Sequence, residues 1–285
     1  MINKGSSVAF AEYGDKNGRL VVYFHGAPGS TQECSLFDSH AKQHNLRIIC
    51  FDRFTINQAV DGQHYYQQLA SQINNLAGDE SIDIIGFSIG AQVALEVGAI
   101  LNNQVRHTHL ISPAAPLNAG DFIDRMAGAP VFKLALKKPF LFSLLAQCQK
   151  LVALLAPQLL VSMLFANAAG KDKQLRHQQA FKRYITPVIK HCFHYGIKGY
   201  TRDIKLYVTW SGDLAGHTSS VHLWHGTKDN WSPLAMSSFL SQIIPGATTV
   251  KSMEGLSHYS CLYEAAPRIC EHLQTSSLQS SQRRP

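Results

Sequence analysis

The decapeptide S-I-D-I-I-G-F-S-I-G at residues 81–90 decides how the rest of the chain is read. Residues 82–85 are apolar apart from Asp83 and have strand character, while 91–102 have the composition of a helix. Between them, Gly86-Phe87-Ser88-Ile89-Gly90 puts G-x-S-x-G in a strand–turn–helix setting. So tight a turn crowds its flanking positions, and Gly86 and Gly90 relieve the crowding by lacking Cβ atoms. The Ser88 hydroxyl is then expected at the carboxyl end of a strand, with the Ile89 amide facing the same space from a helix N-terminus. A serine hydroxyl is a poor nucleophile near neutral pH. It needs a base within reach, a group to orient that base, and donors for the negative charge that develops.

Outward from this stretch, strands and helices alternate. Residues 7–13 alternate apolar with polar, and 20–24 (L-V-V-Y-F) form a buried-strand run, with a polar loop at 14–18 suited to a hairpin between them. The glycine-rich H-G-A-P-G-S at 25–30 follows, then a helix expected over 32–44 and a buried strand at 47–52 (R-I-I-C-F-D). Residues 64–77 predict a helix with Tyr65, Leu69, Ile73 and Leu76 on one face, and 107–113 predict another strand. Nearly continuous apolar strands interleaved with helices predict an α/β fold with a mostly parallel central sheet covered on both faces. The alternation stops at Pro113 and returns at 221–225 (V-H-L-W-H), then a helix over 234–244, a strand over 248–253 and a closing helix over 265–274. The expected organisation is a core of residues 1–113 and 217–274, an inserted helical lid at 114–216, and a flexible tail at 275–285.

Composition narrows the class. With 285 residues, 45% of them hydrophobic and 16% charged, the chain has ample material for a packed core. Its net charge of +7 is unevenly placed: residues 115–215 hold fourteen Lys and Arg against five Asp and Glu, so the remainder is slightly acidic. No Arg-rich helix, zinc-ligand spacing or aromatic RNA-binding strand accompanies that charge, which excludes a nucleic-acid partner and predicts a solvated, basic helical insertion. The six cysteines, at 34, 50, 148, 192, 261 and 270, lack C-x-x-C spacing and are expected as reduced, mostly buried thiols. No apolar signal region opens the chain, so a cytoplasmic location is the default expectation. Residues 151–170 carry no charge, yet Pro157, Ser162 and Asn167 interrupt them and Lys150 and Lys171 bound them. That pattern predicts lid helices over a site. Membrane-surface contact, suggested by Lys133, Lys137 and Lys138 among apolar residues, is the lesser expectation.

In an open parallel sheet, the partners of Ser88 should lie on loops at the carboxyl ends of strands. Two later loops qualify: H-G-T-K-D at 225–229 and E-G-L-S-H at 254–258. They nominate Asp229 and His258, in the chain order serine, acid, histidine. His222 and His225 lie within or at the end of a strand and are poorer candidates, and Asp83 is expected to be structural. The loop His25-Gly26-Ala27-Pro28-Gly29 nominates the Ala27 amide as a second oxyanion donor beside that of Ile89, with His25, Gly26 and Gly29 as its support.

Together, the H-G-A-P-G-S loop, the G-F-S-I-G turn, H-G-T-K-D and the late G-L-S-H resemble the α/β-hydrolase superfamily, in its lid-bearing bacterial serine-hydrolase branch. G-I-K-G-Y-T-R-D at 196–203, followed by Trp210, resembles the end of the lid in such proteins. The resemblance implies an esterase-like reaction: Ser88 attacks a carbonyl, an acyl-enzyme forms, and water activated by His258 releases it, with neither metal nor organic cofactor. The apolar insertion implies a small-molecule substrate that is apolar or acyl-bearing. Two departures stand out. Asp52-Arg53-Phe54-Thr55-Ile56-Asn57 replaces the glycine-rich loop common after the third strand, a change expected to alter a pocket wall and not the triad; Ser257 replaces the usual glycine before the histidine. Epoxide hydrolases and haloalkane dehalogenases carry aspartate where Ser88 stands, and proline iminopeptidases carry a tryptophan after the serine, so the aminopeptidase reading is minor. The rival from another class is a ligand-binding or sensing protein on the same fold.

Overall fold

The computed structural model describes residues 8–56, 62–214, 217–246 and 248–282, with side chains to residue 276; Asn57, in the departing loop, lies outside the described residues. Seven strands form one sheet: β1 (Phe10–Gly14), β2 (Arg19–Phe24), β3 (Leu46–Phe51), β4 (Ile82–Phe87), β5 (Val105–Ile111), β6 (Ser220–Gly226) and β7 (Thr248–Met253). Their spatial order is β1-β3-β2-β4-β5-β6-β7, and every pairing is parallel except β1 with β3. Helices α1 (Asp38–Gln43), α2 (Gly62–Ala77) and α3 (Gly90–Leu101) alternate with the first strands. Between β5 and β6 come α4 (Ala129–Lys137), α5 (Pro139–Leu155), α6 (Pro157–Leu164), α7 (Asp172–Leu175), α8 (Gln179–Cys192) and α9 (Lys198–Val208). The chain closes with α10 (Ala235–Ile243) and α11 (His258–Gln282).

Consecutive residues on the central strands, such as Val21 and Val22 or Ile84 and Ile85, are all fully buried. Successive strand side chains point to opposite faces, so both faces of the sheet are covered, which is why these strands read as unbroken apolar runs. Asp83, the one charge in β4, is buried and met by Arg106 at 2.9 Å and Arg19 at 3.1 Å. All six cysteines are free thiols; five are buried and Cys148 is exposed.

Two expectations are corrected. The first two strands do not form a hairpin, because β3 lies between them and β1 runs antiparallel to it, Phe10 opposite Phe51. The polar loop after β1 instead spans the start of β3, with Asp15 N–H on Leu46 O and Arg19 N–H on Asn45 O, both at 2.9 Å. Nor are residues 275–282, expected within the C-terminal tail, without regular structure, since α11 runs on to Gln282. Polar side chains support the backbone there: Thr275 and Ser276 hydroxyls donate to His272 O at 3.0 and 2.9 Å, and Arg19 donates to Leu273 O.

The uncharged stretch 151–170 is not one helix. Pro157, which has no N–H to continue a ladder, opens α6 two residues after α5 ends its run at Leu155. Among the described residues no helix is long and apolar enough to cross a membrane.

Candidate active site

The turn after β4 holds Ser88 at φ 56°, in the left-handed region that a residue with a side chain seldom adopts. Its backbone is fixed from both sides: Ser88 N–H donates to Ile111 O at 3.0 Å, and Ser88 O accepts from Ala114 N–H at 3.2 Å. A Cβ on Gly90 would stand 2.1 Å from Phe24 O, so α3 starts against β2 more closely than any other residue would allow. Gly86 is buried one position before Phe87 in β4. The sharp strand-to-helix turn is therefore imposed by packing.

Asp229 and His258 come from the ends of β6 and β7. His258 Nδ1 and Asp229 Oδ2 are 2.8 Å apart, both side chains buried. The other carboxylate oxygen accepts the amides of Trp231 at 2.8 Å and Ser232 at 3.0 Å. Burial alone would push the Asp229 carboxyl upward. The charge and hydrogen bond of His258, with His225 and the Ser232 amide, outweigh it and hold the group below the usual carboxylate range. An ionised Asp229 accepts from Nδ1–H and so leaves the lone pair of the neutral ring on Nε2. Trp231 stacks on the imidazole at 5.3 Å, and Phe87, beside Ser88, packs on it at 4.7 Å. Among the described residues Ser88 Oγ makes no hydrogen bond; catalytic bonds of this kind often tighten only when substrate is bound. His225, the poorer candidate, is a support: Nδ1 contacts Ser237 Oγ and Nε2 donates to Ser232 O, both at 2.7 Å.

Sequence reasoning missed a carboxylate on the insertion. Asp172, buried at the start of α7, accepts Tyr259 N–H at 2.9 Å and Ser260 N–H at 2.7 Å. It therefore caps the helix whose first residue is His258. An aspartate in a charged, helical stretch gives no sign of such a distant role.

The glycine-rich loop is held by two further residues. The buried Arg53 guanidinium donates to the carbonyls of His25 and Gly26, and its other end pairs with Asp203 on α9. His25 Nδ1 is 2.8 Å from the same Gly26 carbonyl; burial first, then the charge of Arg53, keeps its imidazole well below the ordinary range and neutral. In a trans peptide the N–H points opposite to the C=O, so fixing Gly26 O turns Ala27 N–H the other way. Neither that N–H nor that of Ile89 meets an acceptor among the described residues. Gly29 closes the loop, where a Cβ would stand 2.5 Å from Gly26 O. The departing segment after β3 was expected to alter a pocket wall, yet none of its described residues lines the cavity at Ser88; its Arg53 instead braces this loop and links it to the insertion.

Ala27, Ser88 and Ile89 open onto a cavity of about 280 Å³. Its walls are mostly apolar, including Val131, Leu145, Leu160, Met163, Ile204 and Trp231, with Gln149, Asn167 and Ser232 among them, and no charged side chain lines it. The described residues most suggestive of a metal centre lie elsewhere. One ring nitrogen from each of His109, His222 and His272 lies within 4.8 Å of the other two. Trp224 Nε1–H donates to His109 Nδ1 at 3.0 Å, however, so the neutral His109 ring carries its proton on Nε2 and offers no lone pair there.

The sheet order, the strand–serine–helix turn and the helical insertion after β5 make this an α/β-hydrolase. The chain belongs to the family described as lipid-droplet associated hydrolase, whose profile matches residues 16–261. No curated protein sequence matches it. An α/β-hydrolase-fold protein from Nakamurella multipartita superposes with a TM-score of 0.68 at 18% identity, over 94% of this chain and 96% of the other. A thermophilic esterase from Thermogutta terrifontis gives 0.66 at 15% identity over 95% and 93%. The esterase from Exiguobacterium antarcticum gives 0.61 at 17% identity over 94% of each. At such identities the likeness establishes the fold.

Proposed function

We propose that the protein is a serine hydrolase that cleaves carboxylic esters of apolar acyl groups through an acyl-enzyme. The observation that carries this reading is the buried Asp229–His258 hydrogen bond beside an elbow serine that opens into an uncharged, mostly apolar cavity. Ser88 Oγ attacks the carbonyl carbon while His258 Nε2 takes its proton. The tetrahedral oxyanion is met by the Ala27 and Ile89 amides, and the alcohol leaves with the proton from His258. Water, deprotonated by the same nitrogen, then releases the acid and restores Ser88. Residues 114–216 act as the lid, α4, α5, α6 and α9 supplying much of the cavity wall. The uncharged lining disfavours aminopeptidase activity, which needs a carboxylate for the substrate amine. Thioesters and lactones meet the same requirements as esters, and the expected site of action is the cytoplasm. The test is labelling of Ser88 by a fluorophosphonate probe, followed by turnover of p-nitrophenyl esters from acetate to decanoate. Labelling with turnover rising along the series supports the reading. A chain that binds acyl ligands without labelling or turnover is a sensor instead.

A second reading concerns where the substrate is met, and exposed apolar side chains on α5 and α6 favour it. Phe140 and Leu155 are 81% and 83% exposed, and Leu144 and Leu151 on α5 and Leu159 and Met163 on α6 are exposed as well. Lys137 and Lys138 directly precede α5 in the chain and Lys150 lies on it, and Met163 also lines the cavity. We infer that the face rests on a lipid surface, its lysines meeting anionic headgroups, in keeping with the description of the family.

A further inference from the structure

Glu33 is a fully buried carboxylate that the hydrolytic scheme above leaves unused. It lies in the short 3₁₀ segment Thr31–Phe37, directly after the glycine-rich loop. Its Oε1 accepts Gly26 N–H at 2.9 Å and the Tyr23 hydroxyl at 2.8 Å. Its Oε2 has no partner among the described residues. The position a Cβ would take on Gly26 is 3.5 Å from Glu33 Oε2 and 3.4 Å from Ser88 Cβ, so carboxylate and nucleophile flank the same glycine. Gly26 is thus gripped at both ends, its N–H by Glu33 and its C=O by Arg53.

We propose that Glu33 is a positioning residue for ester hydrolysis, its carboxylate holding the Gly26 peptide so that the adjacent Ala27 N–H faces the oxyanion. The proposal rests on the serine-hydrolase reading. A plain structural role would be served as well by glutamine, which avoids burying a charge with one oxygen unpaired. What the carboxylate adds is a charge-assisted bond to an amide, about twice as strong as a neutral one.

The surroundings make that bond sensitive to pH. Burial pushes the Glu33 carboxyl up to about 7, against the Gly26 amide, the Tyr23 hydroxyl and the charges of Arg53 and His258. Its other titratable neighbours are Cys34 beside it, Cys50 on β3, Tyr184 and Cys192 on α8, and Tyr259 on α11. Burial raises all five, as it does Tyr23, so they stay neutral as Glu33 titrates. As pH falls, Glu33 takes up a proton and its hold on Gly26 loosens.

The experiment is the pH profile of kcat/KM for a soluble p-nitrophenyl ester, for wild type, Glu33→Gln and Glu33→Ala, with fluorophosphonate labelling of Ser88 in each. The wild-type kcat/KM is expected to fall as pH drops through about 7, where Glu33 is protonated. Glu33→Gln keeps an acceptor but cannot ionise, and should fall less steeply than wild type over the same range. Glu33→Ala should lower kcat by about 10²-fold, the scale of losing an oxyanion donor, with KM changed less than about threefold. A wild-type kcat/KM that stays flat through about pH 7, a Glu33→Gln profile identical to wild type, or an unchanged kcat in Glu33→Ala would each overturn the proposal. If wild-type Ser88 resists labelling, the hydrolase reading itself fails. Labelled Ser88 with any of the three contrary profiles removes Glu33 alone.

Discussion

Asp172, on the inserted helices, accepts the Ser260 amide at 2.7 Å, two residues beyond His258 at the start of α11. The insertion therefore orders the end of the helix that carries the imidazole, besides lining the cavity. Removing the carboxylate leaves two buried N–H groups unpaired and frees the first turn to shift. Asp172→Ala is expected to lower stability by about 1–2 kcal/mol, the scale of a lost N-cap. It should also lower kcat about tenfold through misplacement of His258. Asp172→Asn, keeping one acceptor oxygen, should fall between. Urea denaturation and ester turnover on the same preparations check both figures.

Asp229 sets which nitrogen of His258 carries the proton. Asp229→Asn keeps the shape, but its amide can donate to Nδ1 and move the ring proton to Nε2, where the base is needed. The expected loss in kcat is about 10⁴-fold with little change in the unfolding midpoint. A loss below tenfold would show that His258 does not depend on Asp229.

The imidazoles of His107, His109, His222 and His272 lie against one another across β5, β6 and α11. Burial, then mutual charge and the nearby Lys251, depresses His222 to about 4. His109 is pushed well below its ordinary value, and His107 and His272 are lowered. Unfolded, each binds a proton near pH 6.5. Below that pH the unfolded chain takes up more protons than the folded one, so stability falls as pH drops from about 6.5 toward 4. Urea midpoints across that range should decline, and His222→Gln with His272→Gln should flatten the decline. An equally steep decline in the double variant would move the acid sensitivity elsewhere.

On the exposed face of α5 and α6, Phe140→Ser with Leu155→Ser should weaken flotation with phospholipid-coated triacylglycerol droplets by about tenfold or more, each side chain contributing roughly 1.5–3 kcal/mol when buried. Turnover of a soluble short-chain ester should be unchanged. Equal flotation by both proteins would place the docking face elsewhere.

The elbow and the loops bearing Asp229 and His258 were legible because each combines a local pattern with a place at a strand end. Glu33, Arg53 and Asp172 were not. Each acts on backbone groups that only the folded chain brings near, Asp172 on an amide 88 residues away. The pairing of β1 was misread for a related reason: a polar loop announces a turn, and which strand lies across it is settled by tertiary packing. The helical run to Gln282 was hidden because Thr275 and Ser276 look like coil formers until their hydroxyls turn back onto the helix.

The central claim is that Ser88 is the nucleophile. Its most direct test is the turnover of p-nitrophenyl decanoate by wild type and Ser88→Ala at pH 8. Wild type is predicted to hydrolyse the ester, with kcat in the variant lower by more than about 10³-fold. Equal turnover by the two proteins would contradict the account.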